Sequence, residues 1–363
     1  MRVLIFSSEF PPGPGGIGAH AFNLAHQFAE NNNQVTIYAA DRPDYPSNHF
    51  DREQKFEILR YPIYLSSPAR LVQLIKFLLR KSSDYDWIIL SGLTNLVLYY
   101  LITIVVKSRV LCVIHGHEII MAKGVSRFFV RRALMNADRV VAVSDFSKKL
   151  LHDNGIFRSV ITIPNGVNLN KGVEPKSRNE NKLVLITVGS VTKRKGQHNV
   201  VAALTEIIKR FGSVEYHIVG IPKEKEVIES LAHELGVMRS IFLHGAASDE
   251  QRNAYLSQSD IFMMLSENLP DGDVEGFGIA VLEANGFGLP AIGSKGTGVE
   301  QAIHQGISGY LVDAQNPDQI CNSISLILDK YEKFSLESIA WAHQHDWKVI
   351  GKKYLDILNE EQK

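Results

Sequence analysis

Cysteine is scarce. Cys112 and Cys321 are the two in 363 residues, far apart and set in apolar or helical contexts, which excludes a disulfide framework and a cysteine-based zinc site and points to a reducing, cytoplasmic home. Excess charge is missing as well, because 39 Lys and Arg face 39 Asp and Glu. A chain without net charge is not a nucleic-acid binder driven by whole-molecule electrostatics, although local basic patches stay open. No apolar run is long enough to span a bilayer. Leu93–Val106, apolar except for Thr94, Asn95 and Thr103, has about 14 residues where ~20 are needed and predicts a buried core helix. The opening Met1-Arg2-Val3-Leu4-Ile5-Phe6 is too short for a signal peptide and reads as a first buried strand. What is left is a globular chain whose length favours two domains, each with its own core.

The two halves of the chain open alike. Arg2–Phe6 is an apolar strand, followed by a Gly/Pro loop, a helix with Ala21, Leu24, Ala25 and Phe28 on one face, and the strand Val35–Tyr38. Later the order recurs: strand Leu183–Val188, a glycine and basic loop Gly189–Gly196, a helix marked by Val200, Val201, Leu204, Ile207 and Ile208, and strand Tyr216–Val219. Each half is therefore a parallel sheet wrapped by helices. Further strands are expected at Ile241–Leu243, Ile261–Leu265, Pro290–Gly293 and Tyr310–Val312. The polar stretch Asn168–Asn181 has the composition of a linker, which predicts Rossmann-like domains over 1–172 and 173–342. Trp347, Ile350, Tyr354, Leu355 and Leu358 recur at helical spacing in the last segment.

Chemistry concentrates in Glu275-Gly276-Phe277-Gly278-Ile279-Ala280-Val281-Leu282-Glu283. Its glycines let backbone N–H groups approach a ligand, and a helix starting near Ile279 points its positive end at the same place. An anion fits there, with Glu275 on the loop and Glu283 about one turn inside the helix to accept hydrogen bonds from hydroxyls on either side. A phosphate flanked by two polyols describes a nucleotide sugar. Lys193, Arg194 and Lys195 follow the first strand of the second half, beside that phosphate loop, and Lys195 is the foremost candidate for neutralising a leaving group. Ligands of open parallel sheets bind beyond the carboxyl ends of the strands, so a cleft between two such domains is the expected active site.

These motifs resemble the retaining glycosyltransferases of family 4 with the GT-B fold, whose hallmark is the E-G-F-G-x-x-x-x-E frame. The resemblance extends over Gly15-Gly16-Ile17-Gly18, His115, Val143-Ser144, Pro164-Asn165-Gly166-Val167, Val188-Gly189, Arg194-Lys195-Gly196 and Gly309-Tyr310-Leu311-Val312. It implies two Rossmann-like domains facing each other across a deep cleft, with a terminal helix, about 343–363, crossing back onto the first domain. It implies a hexosyl transfer from a UDP- or GDP-linked sugar to an acceptor hydroxyl in glycolipid, polysaccharide or other glycoconjugate synthesis. Glu283 would bind ribose hydroxyls and Glu275 the transferred sugar, with the N–H groups of Phe277, Gly278 and Ile279 facing sugar or phosphate and Gly276 in the same loop. Gly189, Ser190, Gly245 and Ala246 would complete the donor side with Gly16. Ser190 stands where many members carry arginine, and Arg194 is expected to take over that charge. His115, just past Val110–Ile114, would touch the donor sugar near the reaction centre, while Gly15, Gly18 and His117 lie toward the acceptor. No nucleophilic carboxylate is evident, so the implied retention is a one-face reaction in which the departing phosphate oxygen draws the acceptor proton. No cofactor beyond the sugar nucleotide is implied, and Asp271-Gly272-Asp273 is not read as a metal site, because that motif belongs at a strand end in another architecture.

Two basic amphipathic stretches bear on the acceptor. Arg70, Gln73, Lys76 and Arg80 run along one side of 70–81, and Lys123, Arg127 and Arg131 recur every four residues with Phe128 and Phe129 adjoining. Either lies on an anionic membrane face, bringing a lipid-linked acceptor to the site, or is a core helix with a solvated basic side. Rival functions are another GT-B enzyme, such as a sugar-nucleotide epimerase or a phosphorylase, and a catalytically silent sugar-nucleotide binder.

Overall fold

The structure is a computed structural model that describes residues 1–360 except 14, 63–66, 104–105, 170–171, 179–180 and 271. Asp271 of the Asp-Gly-Asp motif and the Arg70 side chain therefore lie outside the described residues. Two compact units form, one of Met1–Gly166 with Trp347–Lys363 and one of Val167–Asp346.

The first unit runs β1 (Arg2–Ser7), α1 (Gly16–Glu30), β2 (Gln34–Asp41), α2 (Asn48–Arg52), β3 (Glu57–Pro62), α3 (Ser67–Lys81), β4 (Trp87–Ser91), α4 (Leu93–Ile102), β5 (Arg109–Ile114), α5 (His117–Met121), α6 (Val125–Asn136), β6 (Arg139–Ala142), α7 (Asp145–Asp153) and β7 (Ile161–Thr162). Its sheet is parallel in the order β3-β2-β1-β4-β5-β6-β7. Strand β1 is central, with Val3 and Leu4 fully buried and Ile5 and Phe6 nearly so, and burying each such side chain contributes roughly 1.5–3 kcal/mol. A continuous apolar run, not an alternating one, is what a strand covered on both faces requires.

The second unit continues with β8 (Leu183–Val188), α8 (Gln197–Phe211), β9 (Val214–Val219), α9 (Lys225–Glu234), β10 (Ile241–Gly245), α10 (Asp249–Gln258), β11 (Ile261–Met264), α11 (Ile279–Asn285), β12 (Ala291–Ser294), β13 (Gly309–Val312), α12 (Pro317–Leu328) and α13 (Tyr331–Gln344). Its sheet order, β10-β9-β8-β11-β12-β13, repeats that of the first up to β6, so the predicted pair of doubly wound parallel sheets is present. The last helix, α14 (Trp347–Asn359), packs on α1, where Gly351 meets Gln27 and Trp87 Nε1 donates to the Leu358 carbonyl at 3.0 Å.

One expectation needs correcting. The apolar run from Leu93 is not buried all round, because α4 turns Leu96 and Tyr99 inward but leaves Leu101 45% exposed. No described helix is long and apolar enough to cross a membrane.

Candidate functional site

In parallel sheets every strand delivers its following loop to the same edge, so residues remote in sequence meet there. In the second unit β8 ends at Val188, just before Gly189, and the turn Lys193–Lys195 follows before α8 begins. Strand β11 feeds the loop that carries Asp273 and Glu275 into α11. The Lys195 ammonium lies 2.7 Å from Glu275 Oε2, Arg194 Nη1 bonds the same oxygen, and Arg194 Nε stands 2.9 Å from Asp273 Oδ1. Glu275 is 8% exposed. Burial pushes its carboxyl up, but the charges and hydrogen bonds of Lys195 and Arg194 outweigh that and hold it below the ordinary glutamate range.

Glu283 sits in α11, and its surroundings act on it differently. Burial raises its carboxyl, partly offset by the charges of Arg252 and Lys195, and among the described residues it takes no hydrogen bond or ion pair. Lys195 is thus felt by both glutamates of the motif. Its stem packs on Gly189, whose carbonyl lies so close to Gly220 that a side chain there would overlap it, and Gly220 N donates to the Gly245 carbonyl at 2.8 Å. The ends of β8, β9 and β10 are therefore drawn together, with Ser190 half-buried and Ala246 exposed beside them. Phe277 buries its ring, and Gly278, at φ +89, opens the seven-residue helix α11 ahead of Ile279. Gly276 is partly exposed.

The first unit builds a second cluster at the edge where β1, β4 and β5 end. His115 Nε2 meets Ser91 Oγ at 3.0 Å, and its backbone N–H donates to Glu118 Oε2 at 3.1 Å. His20, on the inner face of α1, meets His115 edge-on with centroids 5.0 Å apart, touches Trp347 likewise, and hydrogen-bonds Tyr354 at 3.1 Å. Burial pushes the His115 imidazole down to about 4, and burial with the His115 field holds His20 well below its usual value, so both rings are neutral near pH 7. Burial lifts Glu118 to about 7 against its backbone hydrogen bonds, and its Oε1 has no partner among the described residues.

His117 opens α5 and is exposed. The glycine loop divides in two. A Cβ at Gly18 would lie 2.8 Å from the Glu9 carbonyl carbon, so this glycine lets α1 pack on the loop after β1, whereas Gly16 meets nothing within 4 Å. Gly15 is exposed, at φ +151 against the Glu9 side chain. Sequence reasoning did not single out His20 or Ser91, and it read Tyr354 only as part of the apolar face of the last helix. The signal was slight: a histidine at a core position of α1, between residues that keep the helical period.

Known proteins resemble this chain along both units. The profile for "Glycosyltransferase Family 4" matches residues 14–171, and that for "Glycosyl transferases group 1" matches residues 171–338. The chain is similar to the GDP-mannose-dependent alpha-(1-6)-phosphatidylinositol monomannoside mannosyltransferase of Mycobacterium tuberculosis (strain CDC 1551 / Oshkosh), 26% identical over 98% of both chains. Among solved structures, HepE of Anabaena in complex with UDP and glucose superposes with a TM-score of 0.75 at 18% identity, covering 99% of both chains. The sucrose-phosphate synthase of Thermosynechococcus elongatus does so with a TM-score of 0.80 at 18% identity, covering 98% of both.

Proposed function

Since the chain belongs to the family-4 glycosyltransferases and has the GT-B fold, it is a glycosyltransferase, and we propose that it moves a hexosyl unit, with retention, from a nucleoside-diphosphate sugar to an acceptor hydroxyl in glycoconjugate synthesis. GDP-mannose is the favoured donor, because the full-length relative named above is GDP-mannose-dependent. A glycolipid acceptor, peripheral contact with an anionic membrane and a cytoplasmic site belong to the same reading, supported by that relative's acceptor and by two buried, unpaired cysteines.

The observation that carries the proposal is the pair of cations on Glu275, with the unpartnered Glu283 inside the field of Lys195. A diphosphate here shares Arg194 and Lys195 with Glu275, and those side chains offset the charge that develops as it departs. Arg194 takes the place that Ser190 leaves without a cation. Glu275, held ionised, accepts hydroxyls of the transferred sugar, and Glu283 accepts those of the ribose. Backbone N–H groups around Gly276–Ile279 face the phosphates, and Gly189, Gly245 and Ala246 line the donor, to which Gly16 is also assigned. Neutral His115, oriented by Ser91, contacts the transferred sugar, while Gly15, Gly18 and His117 serve the acceptor side. The departing phosphate oxygen takes the acceptor proton, so no protein carboxylate acts as nucleophile or base.

Thermal shifts with GDP, UDP and ADP and their sugars test the donor assignment: a ligand at a hundred times its Kd stabilises by about 2.7 kcal/mol. GDP release that requires an acceptor separates transfer from epimerisation, which releases none, and from phosphorolysis, which needs inorganic phosphate. Absence of stabilisation by any nucleoside diphosphate overturns the proposal.

A further inference from the structure

Helix α6 is buried on one side and bare on the other. Val130, Ala133 and Leu134 face the core, while Val125 is 70% exposed and Phe128 50%. Met121 at the end of α5 and Leu101 late in α4 are exposed as well. The bare aromatic surface is ordered: Tyr100 stacks on Phe129 at 5.3 Å and meets Phe128 edge-on at 6.1 Å, and Arg132 lies over the Phe128 ring at 5.4 Å. Lys123, Arg127, Arg131 and Arg132 on the same elbow are all exposed, and no acidic residue occurs from 119 to 136.

Helix α3, the other basic stretch, is built differently. Lys76 and Arg80 point outward, but Leu74 and Leu78 are buried and Ile75 and Phe77 pack on the core, so of its described large apolar side chains only Val72 is exposed. Among its described side chains it offers charge with no exposed large apolar residue beyond Val72.

We propose that the α5–α6 elbow, Met121 to Arg132, is the docking face for an anionic lipid bilayer, and that α3 is not. Cations ringing unburied valine, methionine and phenylalanine match a headgroup layer in which phosphates meet the basic rim and the apolar side chains reach the acyl boundary. A nucleic-acid backbone would satisfy the cations but gains nothing from Val125, Met121 or Leu101. Because α5 begins two residues after His115, a docked bilayer lies beside the strand end that carries this histidine. The inference rests on the peripheral-membrane part of the function proposed above, and it adds where the contact is made.

Flotation of the full chain with vesicles of phosphatidylcholine alone, and of equal parts phosphatidylcholine and phosphatidylglycerol, tests it. The protein is expected to float with the anionic vesicles and to be released as salt is raised. Val125→Ser with Phe128→Ser, and separately Lys123→Gln with Arg127→Gln and Arg131→Gln, should each weaken binding about tenfold or more, whereas Lys76→Gln with Arg80→Gln changes it less than about twofold. These positions are exposed, and melting curves check that the variants fold. No flotation at low salt, wild-type flotation by the α6 variants, loss confined to the α3 variant, or a concentration-dependent dimer broken by Phe128→Ser without vesicle binding would each overturn the proposal. Thermal stabilisation by the nucleoside diphosphates, measured alongside, is expected to be unchanged in the α6 variants. Its absence from the wild-type protein would count against the transferase reading and leave the flotation result standing.

Discussion

Lys195 and Arg194 converge on one carboxylate oxygen of Glu275, from a turn 80 and 81 residues earlier in the chain, and Arg194 binds Asp273 with its other edge. Removing either cation leaves a buried carboxylate with half its compensation.

Lys195→Ala should therefore act on both fold and chemistry. The loss in kcat/KM for the sugar donor is expected to be about 100- to 1,000-fold, as for removal of a group that stabilises developing negative charge. Stability should fall by about 1–3 kcal/mol, less than for a fully orphaned charge because Arg194 remains. Steady-state kinetics and urea unfolding measure the two, and unchanged kinetics would remove Lys195 from the site.

Glu283→Gln should separate binding from stability. This carboxyl has no partner among the described residues, and its folded pKa is raised, so the stability it contributes is present below the ordinary glutamate pKa and lost as pH rises. The amide should be at least as stable as the parent at pH 7, while the KM for the donor rises about tenfold or more for loss of a charge-assisted hydrogen bond. A variant with weakened folding and normal KM would mark Glu283 as structural.

The first unit carries opposed pH dependences. His115 and His20 titrate lower folded than unfolded, so their contribution is present above about 6.5 and is lost as pH falls, for His115 toward about 4. Glu118, raised to about 7, contributes below about 4.5 and loses that contribution as pH rises through 7. Glu118→Gln should gain about 1–3 kcal/mol at pH 8 and nothing near pH 4. Denaturant titrations across this range decide it, and parallel curves for parent and variant would refute it.

Gly298→Ala tests the acidic loop from a position outside the proposed contacts. A Cβ there would lie 2.2 Å from the Gly276 carbonyl carbon and 2.4 Å from the Glu275 carbonyl oxygen, so the loop must shift. We expect a loss in kcat/KM of about tenfold or more, with a destabilisation of about 1–3 kcal/mol. Gly16→Ala, which meets nothing, should leave stability unchanged within about 0.5 kcal/mol.

The strands were legible because two-sided burial makes them continuous apolar runs, as in Val110–Ile114, and because glycines punctuate their ends. Glu275, Arg194 and Lys195 could be gathered by the rule that parallel strands release their loops at one edge. What periodicity does not encode is which remote side chains then touch. His20, His115 and Tyr354 lie on three elements and meet through packing alone, and Asp273 shows its partner only once the loop is folded. Nor could the sequence choose between the two basic helices, since both have the helical period. The difference is that α3 buries Leu74 and Leu78 while α6 keeps Phe128 half in water.

Helix α14 places the last stretch of the chain among residues made first. Gly166 has its Cα against the Trp347 ring, and Tyr354 and Leu358 reach α1 and β4. No single cut can release the first unit intact: a fragment ending at 166 would bare the flank of α1 and leave His20 without its hydroxyl partner. Recovering it would take complementation by a peptide of residues 347–363, or a permuted chain that joins the two pieces directly.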